Sequence, residues 1–161
     1  MLTVVYPFLK RLTSLPQVGL GLAFSCSILI AFAAQLNSLP AHAWLLFFAN
    51  LCWTVAYDTQ YAMADKHEDQ QLKLKSTAIL FGKHAHLAIA LLQASFLMSL
   101  LILAVWCNFR WTFLGGWLLA VAAAYYQHRT MATQDQLDYL RSFNQNYWLG
   151  AAIFLGLLVA F

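Results

Sequence analysis

Four of the six acidic residues in this 161-residue chain lie between positions 58 and 69: Asp58, Asp65, Glu68 and Asp69. The residues before them are almost wholly apolar, and acids gathered at the end of an apolar segment are functional candidates by default. If the preceding helix runs through this stretch, the spacings of seven and four put Asp58, Asp65 and Asp69 on one face, with Tyr61 about a turn from both Asp58 and Asp65. Like charges four apart destabilise a helix by about 0.2–0.5 kcal/mol per pair, and acids near its C-terminus oppose the macrodipole. A divalent cation between the carboxylates removes both penalties. Oxygen-only donors suit a hard ion such as Mg²⁺, which keeps several waters and bridges carboxylate to phosphate. Lys66, Lys73, Lys75, Ser76 and Thr77 follow closely and suit phosphate oxygens. A solvated loop of mixed charge fits the spacing equally well.

The composition sets the surroundings. With 62% hydrophobic and 9% charged residues, the chain reads as an all-α integral membrane protein, and its net charge of +3 gives no sign of nucleic-acid binding. Cys26, Cys52 and Cys107 are odd in number and form no C-x-x-C pair; they read as packing residues. Residues 1–9 are too short to cross a bilayer and read as the end of a helix whose earlier part is missing. Five apolar runs then predict five transmembrane helices, about 16–35, 41–64, 84–107, 111–126 and 147–161, in a single domain.

Of the nine basic residues, all but Arg110 fall on one side of this arrangement. That side is then cytoplasmic, and the acidic stretch faces the cytoplasm. The segment Gln127–Gln145 reads as a second cytoplasmic loop holding a short amphipathic helix. Gly19, Gly21, Gly115, Gly116, Gly150 and Gly156 read as helix-packing positions. Trp106, Trp111 and Trp148 fit an interfacial belt. Gln93, inside the third run, is expected to bond a neighbouring helix. His84 and His86 read as interfacial anchors and His67 as a loop residue.

The motifs add a more specific signal. Tyr6-Pro7-x-x-Lys10-Arg11, Leu15-Pro16-Gln17, the stretch 56–65 (AYDTQYAMAD), the stretch 75–82 (KSTAILFG) and Phe143-Asn144-x-Asn146-Tyr147 together resemble the 4-hydroxybenzoate polyprenyltransferases of ubiquinone biosynthesis, a UbiA-type intramembrane prenyltransferase family. The resemblance covers essentially the whole chain. It implies a bundle of nine transmembrane helices, of which this chain supplies the C-terminal portion of about five, in the bacterial inner membrane. It also implies two aspartate-rich motifs that hold Mg²⁺ on the diphosphate of a polyprenyl substrate, with 4-hydroxybenzoate as acceptor.

The second motif, D-x-x-x-D, corresponds here to Asp65–Asp69. Asp65 and Asp69 are thereby the first metal and catalytic candidates, joined by Asp58. Tyr61, Lys10, Arg11, Lys75 and Ser76 are the candidates for binding diphosphate or acceptor. Trp53, Tyr57, Tyr61 and Phe81 are available to line a dry cavity. The first motif, of the N-D-x-x-D type, is absent, and an N-terminal half carrying it is expected as a partner. The chain alone is expected to be inactive. Other classes left open are a divalent-cation transporter or channel fragment, and an inactive membrane remnant.

Overall fold

A computed structural model describes residues 10–160; Tyr6, Pro7, the segment 1–9 and Phe161 lie outside the described residues. Within them all regular structure is helical: α1 Pro16–Leu36, α2 Ala41–Ala64, α3 Lys66–Gln71, α4 Thr77–Phe81, a 3₁₀ turn Gly82–His84, α5 Ala85–Trp106, α6 Phe113–Met131, α7 Gln136–Asn144 and α8 Asn146–Leu158. The boundaries follow from local chemistry. Pro16 opens α1, where its missing N–H costs nothing. Asn37 closes α1 in the left-handed region with its N–H on the Ala33 carbonyl. Pro40, extended, launches α2. Ser76 caps α4 by accepting from the Ile79 N–H, and Gly82, at φ +53°, turns the chain into α5.

Helix α2 is the central element and packs against α1, α5 and α7, while α6 packs along α8. Two stretches, Pro16–Leu36 and Thr77–Trp106, are long and apolar enough to cross a membrane. The bundle also presents large apolar side chains outward all round: Ile30, Leu91, Leu119 and Phe154 are each at least 60% exposed. Such a surface suits lipid, where it is the solvated face.

Close backbone approach explains several glycines. A Cβ at Gly116 would stand 2.5 Å from the Ala152 carbonyl oxygen and 2.6 Å from the Gly156 Cα, so α6 and α8 touch through glycine. A Cβ at Gly21 would meet Leu51 Cδ1 at 2.7 Å. Gly115 has nothing within 4 Å and is not part of a contact. Opposite signs are therefore expected for neighbouring substitutions. Gly116→Ala destabilises the detergent-solubilised protein by about 1–3 kcal/mol through overpacking. Gly115→Ala is neutral or stabilising by up to about 1 kcal/mol, the difference in helix propensity. Thermal melts of both variants check this; equal effects would break the assignment.

Helix α6 runs five residues past the expected end at Tyr126, and the reason is a buried polar chain. Trp53 Nε1 donates to Asn146 Oδ1 at 3.1 Å. Because an indole N–H only donates, the orientation of every later amide is fixed. Asn146 Nδ2 donates to Gln60 Oε1 at 2.6 Å, and Gln60 Nε2 to Gln127 Oε1 at 3.0 Å. Gln93 Nε2 donates to the same Gln127 oxygen at 2.7 Å. Gln93 Oε1 therefore faces His128 Nε2 at 2.9 Å, which must carry the proton. The four amide residues are buried and join α2, α5, α6 and α8 between two apolar clusters. Gln93 does bond its neighbours, as its place in an apolar run suggests. Helical backbone through Met131 is what carries Gln127 and His128 into register with it.

Candidate functional site

The acids sit where α2 gives out. Asp65 is the C-terminal cap of α2 (φ −84°, ψ 1°), and α3 starts afresh at Lys66. The helix is thus interrupted between Asp58 and Asp69, although the Asp69 N–H still bonds the Asp65 carbonyl at 2.9 Å. This break turns Asp69 inward. It is 4% exposed, and its Oδ1 accepts from Lys10 Nζ at 3.2 Å. Its Oδ2 is buried with no hydrogen-bond partner among the described residues.

Asp65 stays partly exposed, and its carboxylate charge is the largest influence on the Tyr61 phenol one turn back. The charges of Asp65, Lys10 and Asp58 all act on that phenol, so the four groups share one region. Asp58 lies about 10 Å deeper along the α2 axis than Asp65 at 1.5 Å per residue. It is 8% exposed and acts electrostatically on Tyr57 as well as Tyr61. Among the described residues no three His, Cys, Asp or Glu side chains come together at metal-binding range. The structure therefore pairs Asp69 with Lys10 and keeps Asp65 and Asp58 within electrostatic range of the Tyr61 phenol, Asp58 the deeper of the two along α2.

The residues after the acids hold the site in place. The Lys75 N–H donates to the Lys10 carbonyl at 2.8 Å, and Lys75 Nζ reaches the Leu12 carbonyl at 3.3 Å. Ser76 is buried as the α4 cap. Lys75 thus fastens the Lys10 segment to the bundle while Ser76 caps α4. Arg11 is exposed, without an acidic partner among the described residues.

Two supports had only a faint sequence signal, as polar residues inside apolar runs. Gln17 Oε1 accepts from the Thr77 N–H at 3.1 Å, and Thr59 Oγ1 meets Thr77 Oγ1 at 2.8 Å. Together they lock the 75–78 turn to α1 and α2.

From the acids an aromatic column descends. Tyr61 and Tyr57 both pack edge-on against Phe143, with centroids 5.3 and 6.0 Å apart. Tyr57 packs on Trp53 at 6.0 Å, and Trp53 stacks on Phe96 at 5.2 Å. Tyr61 is 40% exposed at the head of this column. The set of Trp53, Tyr57 and Tyr61 is thus joined by Phe143 on α7. Phe81 has no ring partner in the column among the described residues.

The arrangement offers a paired carboxylate with one orphaned oxygen, a fixed ammonium, and a graded aromatic wall beneath them. Such a set can hold a cation–anion pair at the boundary and stabilise positive charge below it.

Comparison with known proteins fits this geometry. The model of the UbiA prenyltransferase family matches residues 1–158. The 4-hydroxybenzoate octaprenyltransferase of Coxiella burnetii (strain CbuK_Q154) is 47% identical over 161 residues, which are all of this chain and 56% of that protein. The 4-hydroxybenzoate octaprenyltransferase of Yersinia pseudotuberculosis serotype O:3 (strain YPIII) is 46% identical over 157 residues, 98% of this chain and 54% of that protein. The chain thus spans about half the length of these curated relatives. The apo structure of a UbiA homolog from Aeropyrum pernix K1 superposes with a TM-score of 0.78 at 24% identity, over 98% of this chain and 60% of that one, a likeness of fold. With the family's pattern running through 158 of its residues and its helices arranged as in that homolog, the chain belongs to the UbiA prenyltransferase family.

Proposed function

We propose that this chain forms the diphosphate-holding portion of a Mg²⁺-dependent aromatic prenyltransferase, which moves a polyprenyl group from polyprenyl diphosphate to the ring of 4-hydroxybenzoate. The observation that carries the reading is Asp69: a buried carboxylate with one oxygen on Lys10 and the other unpartnered among the described residues. A buried acceptor left alone costs about 1–3 kcal/mol, more for a charged group. An ion at Oδ2 removes that cost, and Asp65 is the neighbouring carboxylate able to share it. The donor set is all oxygen, which fits Mg²⁺. When bound, Mg²⁺ supplies neutralisation of the charge that gathers on a leaving diphosphate.

The protein's own part is positional. Lys10, held by the Lys75 N–H, orients Asp69 and adds an ammonium beside the diphosphate. Arg11, exposed next to it, is free to reach an anionic substrate group. As the allylic C–O bond breaks, its electrons leave with the diphosphate and the prenyl carbon becomes cationic. The faces of Tyr61, Phe143 and Tyr57 stabilise that charge and keep water away. The ring carbon of the acceptor then bonds the cation, and loss of the ring proton restores aromaticity. Asp58, at the deeper level, places negative charge along this column.

The relatives are longer than this chain, and a portion carrying the N-D-x-x-D motif is the partner the reading requires. The site then faces the cytoplasm from a bacterial inner membrane. The position of the acid pair at the end of α2 supports an interfacial enzyme site over a transport path, because transport sites lie near the midplane on broken helices. Co-expression with such an N-terminal portion, followed by an assay with labelled polyprenyl diphosphate and 4-hydroxybenzoate, tests the proposal. Mg²⁺-dependent transfer that EDTA stops is expected. Two folded portions with neither binding nor transfer would refute it.

A further inference from the structure

A cavity of about 690 Å³ opens at the same end of the bundle as the acids, and neither Asp65 nor Asp69 lines it. On α3, Lys66, His67 and Gln70 line it; Asp69, about 60° from Lys66, about 100° from Gln70 and about 160° from His67 round the helix axis, pairs with Lys10 instead. Lys83 enters from the 3₁₀ turn, His86 from the start of α5, and Gln134 from the α6–α7 connection. Three separate segments thus converge on one space. The acids nearest in sequence, Asp65, Glu68 and Asp135, are not in its wall. Neither Lys66 nor Lys83 has an acidic partner among the described residues, where the ion pairs are Lys10–Asp69 and Arg141–Asp138. The Lys66 charge acts on the His86 ring, and both side chains line the cavity. Tyr139 holds the His86 ring in place through its hydroxyl, 2.9 Å from Nε2.

We infer that this cavity binds a phosphate-bearing anion, at a site separate from the carboxylate pair. Two ammonium groups with no counter-charge, a fixed imidazole and side-chain amides reaching in from several directions match the oxygens of a phosphate, and the space is too large for a carboxylate alone. Basic pockets between helices at a membrane boundary take phospholipid headgroups by the same chemistry. The two sources of such a group are a free phosphate or diphosphate and an anionic lipid. The inference does not rest on the prenyl-transfer reading.

The test uses the whole chain with EDTA present, so that a metal-dependent site is silent. In neutral detergent, inorganic phosphate and diphosphate are titrated and followed by ³¹P NMR; in nanodiscs, phosphatidylglycerol is compared with phosphatidylcholine by native mass spectrometry of retained lipid. Saturable binding in the first arm assigns a soluble anion, and preferential retention of phosphatidylglycerol assigns a headgroup. In either case Lys66→Gln with Lys83→Gln weakens binding at least tenfold, the Arg pair at both positions keeps it, and Asp69→Asn leaves it unchanged. Absence of binding in both arms overturns the inference, as does full binding in the Gln double variant. Equal loss in Asp69→Asn also overturns it, by placing the anion at the carboxylates.

Discussion

Asp69→Asn is expected to lower Mg²⁺-dependent binding of a polyprenyl diphosphate at least a hundredfold in the chain co-expressed with an N-terminal portion carrying the N-D-x-x-D motif, about 2.8 kcal/mol at 1.4 kcal/mol per decade. The loss has two sources. The amide removes a charged metal-facing oxygen, and it puts an NH₂ or a neutral carbonyl opposite Lys10, which then loses its partner at 3.2 Å. Asp65→Asn removes only the first kind of contact, since the Lys10 ammonium is paired with Asp69 and not with Asp65. It is expected to weaken metal-dependent binding by a similar factor. Asp69→Asn in addition leaves the partly buried Lys10 ammonium without its carboxylate partner, so it lowers the metal-free melting point while Asp65→Asn does not. Thermal melts in EDTA separate the two cases. Near-normal Mg²⁺-dependent binding in both variants would remove the acid pair from the site.

The second large effect concerns stability. Asn146→Ala deletes the link that receives the Trp53 indole and feeds the Gln60 carbonyl oxygen. Two buried groups then lose partners at about 1–3 kcal/mol each, less what they recover elsewhere within a membrane. A net loss of about 2–4 kcal/mol is expected, measured as unfolding in mixed micelles. Trp53→Phe removes one donor and leaves Asn146 Nδ2 on Gln60, so it costs less through the network. Because Trp53 sets the direction of every amide downstream, Asn146→Ala should also release the tautomer of His128, which ¹⁵N NMR of the imidazole reads. An unchanged melting point together with an unchanged tautomer would show that the chain of amides does not act as a unit.

Much of this architecture could be read from residue order. Pro16, Asn37-Ser38-Leu39-Pro40 and Gly82 punctuate the apolar runs, and the helices begin and end at them. Helix α2 takes up residues 41–64, the bounds read from its hydrophobicity. The extension of α6 to Met131 could not be read, because Gln127 and His128 look like loop residues until their partners on other helices are known. The same limit applies at the site. Spacing of seven and four puts the three carboxylates on one face of a continuous helix; the backbone breaks after Asp65, so Asp58 and Asp65 stay on α2 while Asp69 is carried by a new helix and pairs with Lys10. Lys75 and Ser76 carry phosphate-binding chemistry by type, and the backbone and cap contacts they also make could not be read from type alone. Side-chain type is visible in a sequence; which of its partners arrives first is decided by packing.

The central claim is that Asp65 and Asp69 together hold a divalent ion against a diphosphate. Mn²⁺, substituted for Mg²⁺, tests it directly by pulsed EPR on the reconstituted protein with a non-reactive prenyl diphosphate analogue. Strong ³¹P coupling to bound Mn²⁺, lost in both Asp65→Asn and Asp69→Asn, is the predicted result. Mn²⁺ that binds without ³¹P coupling, or that keeps its coupling in both variants, would contradict the claim.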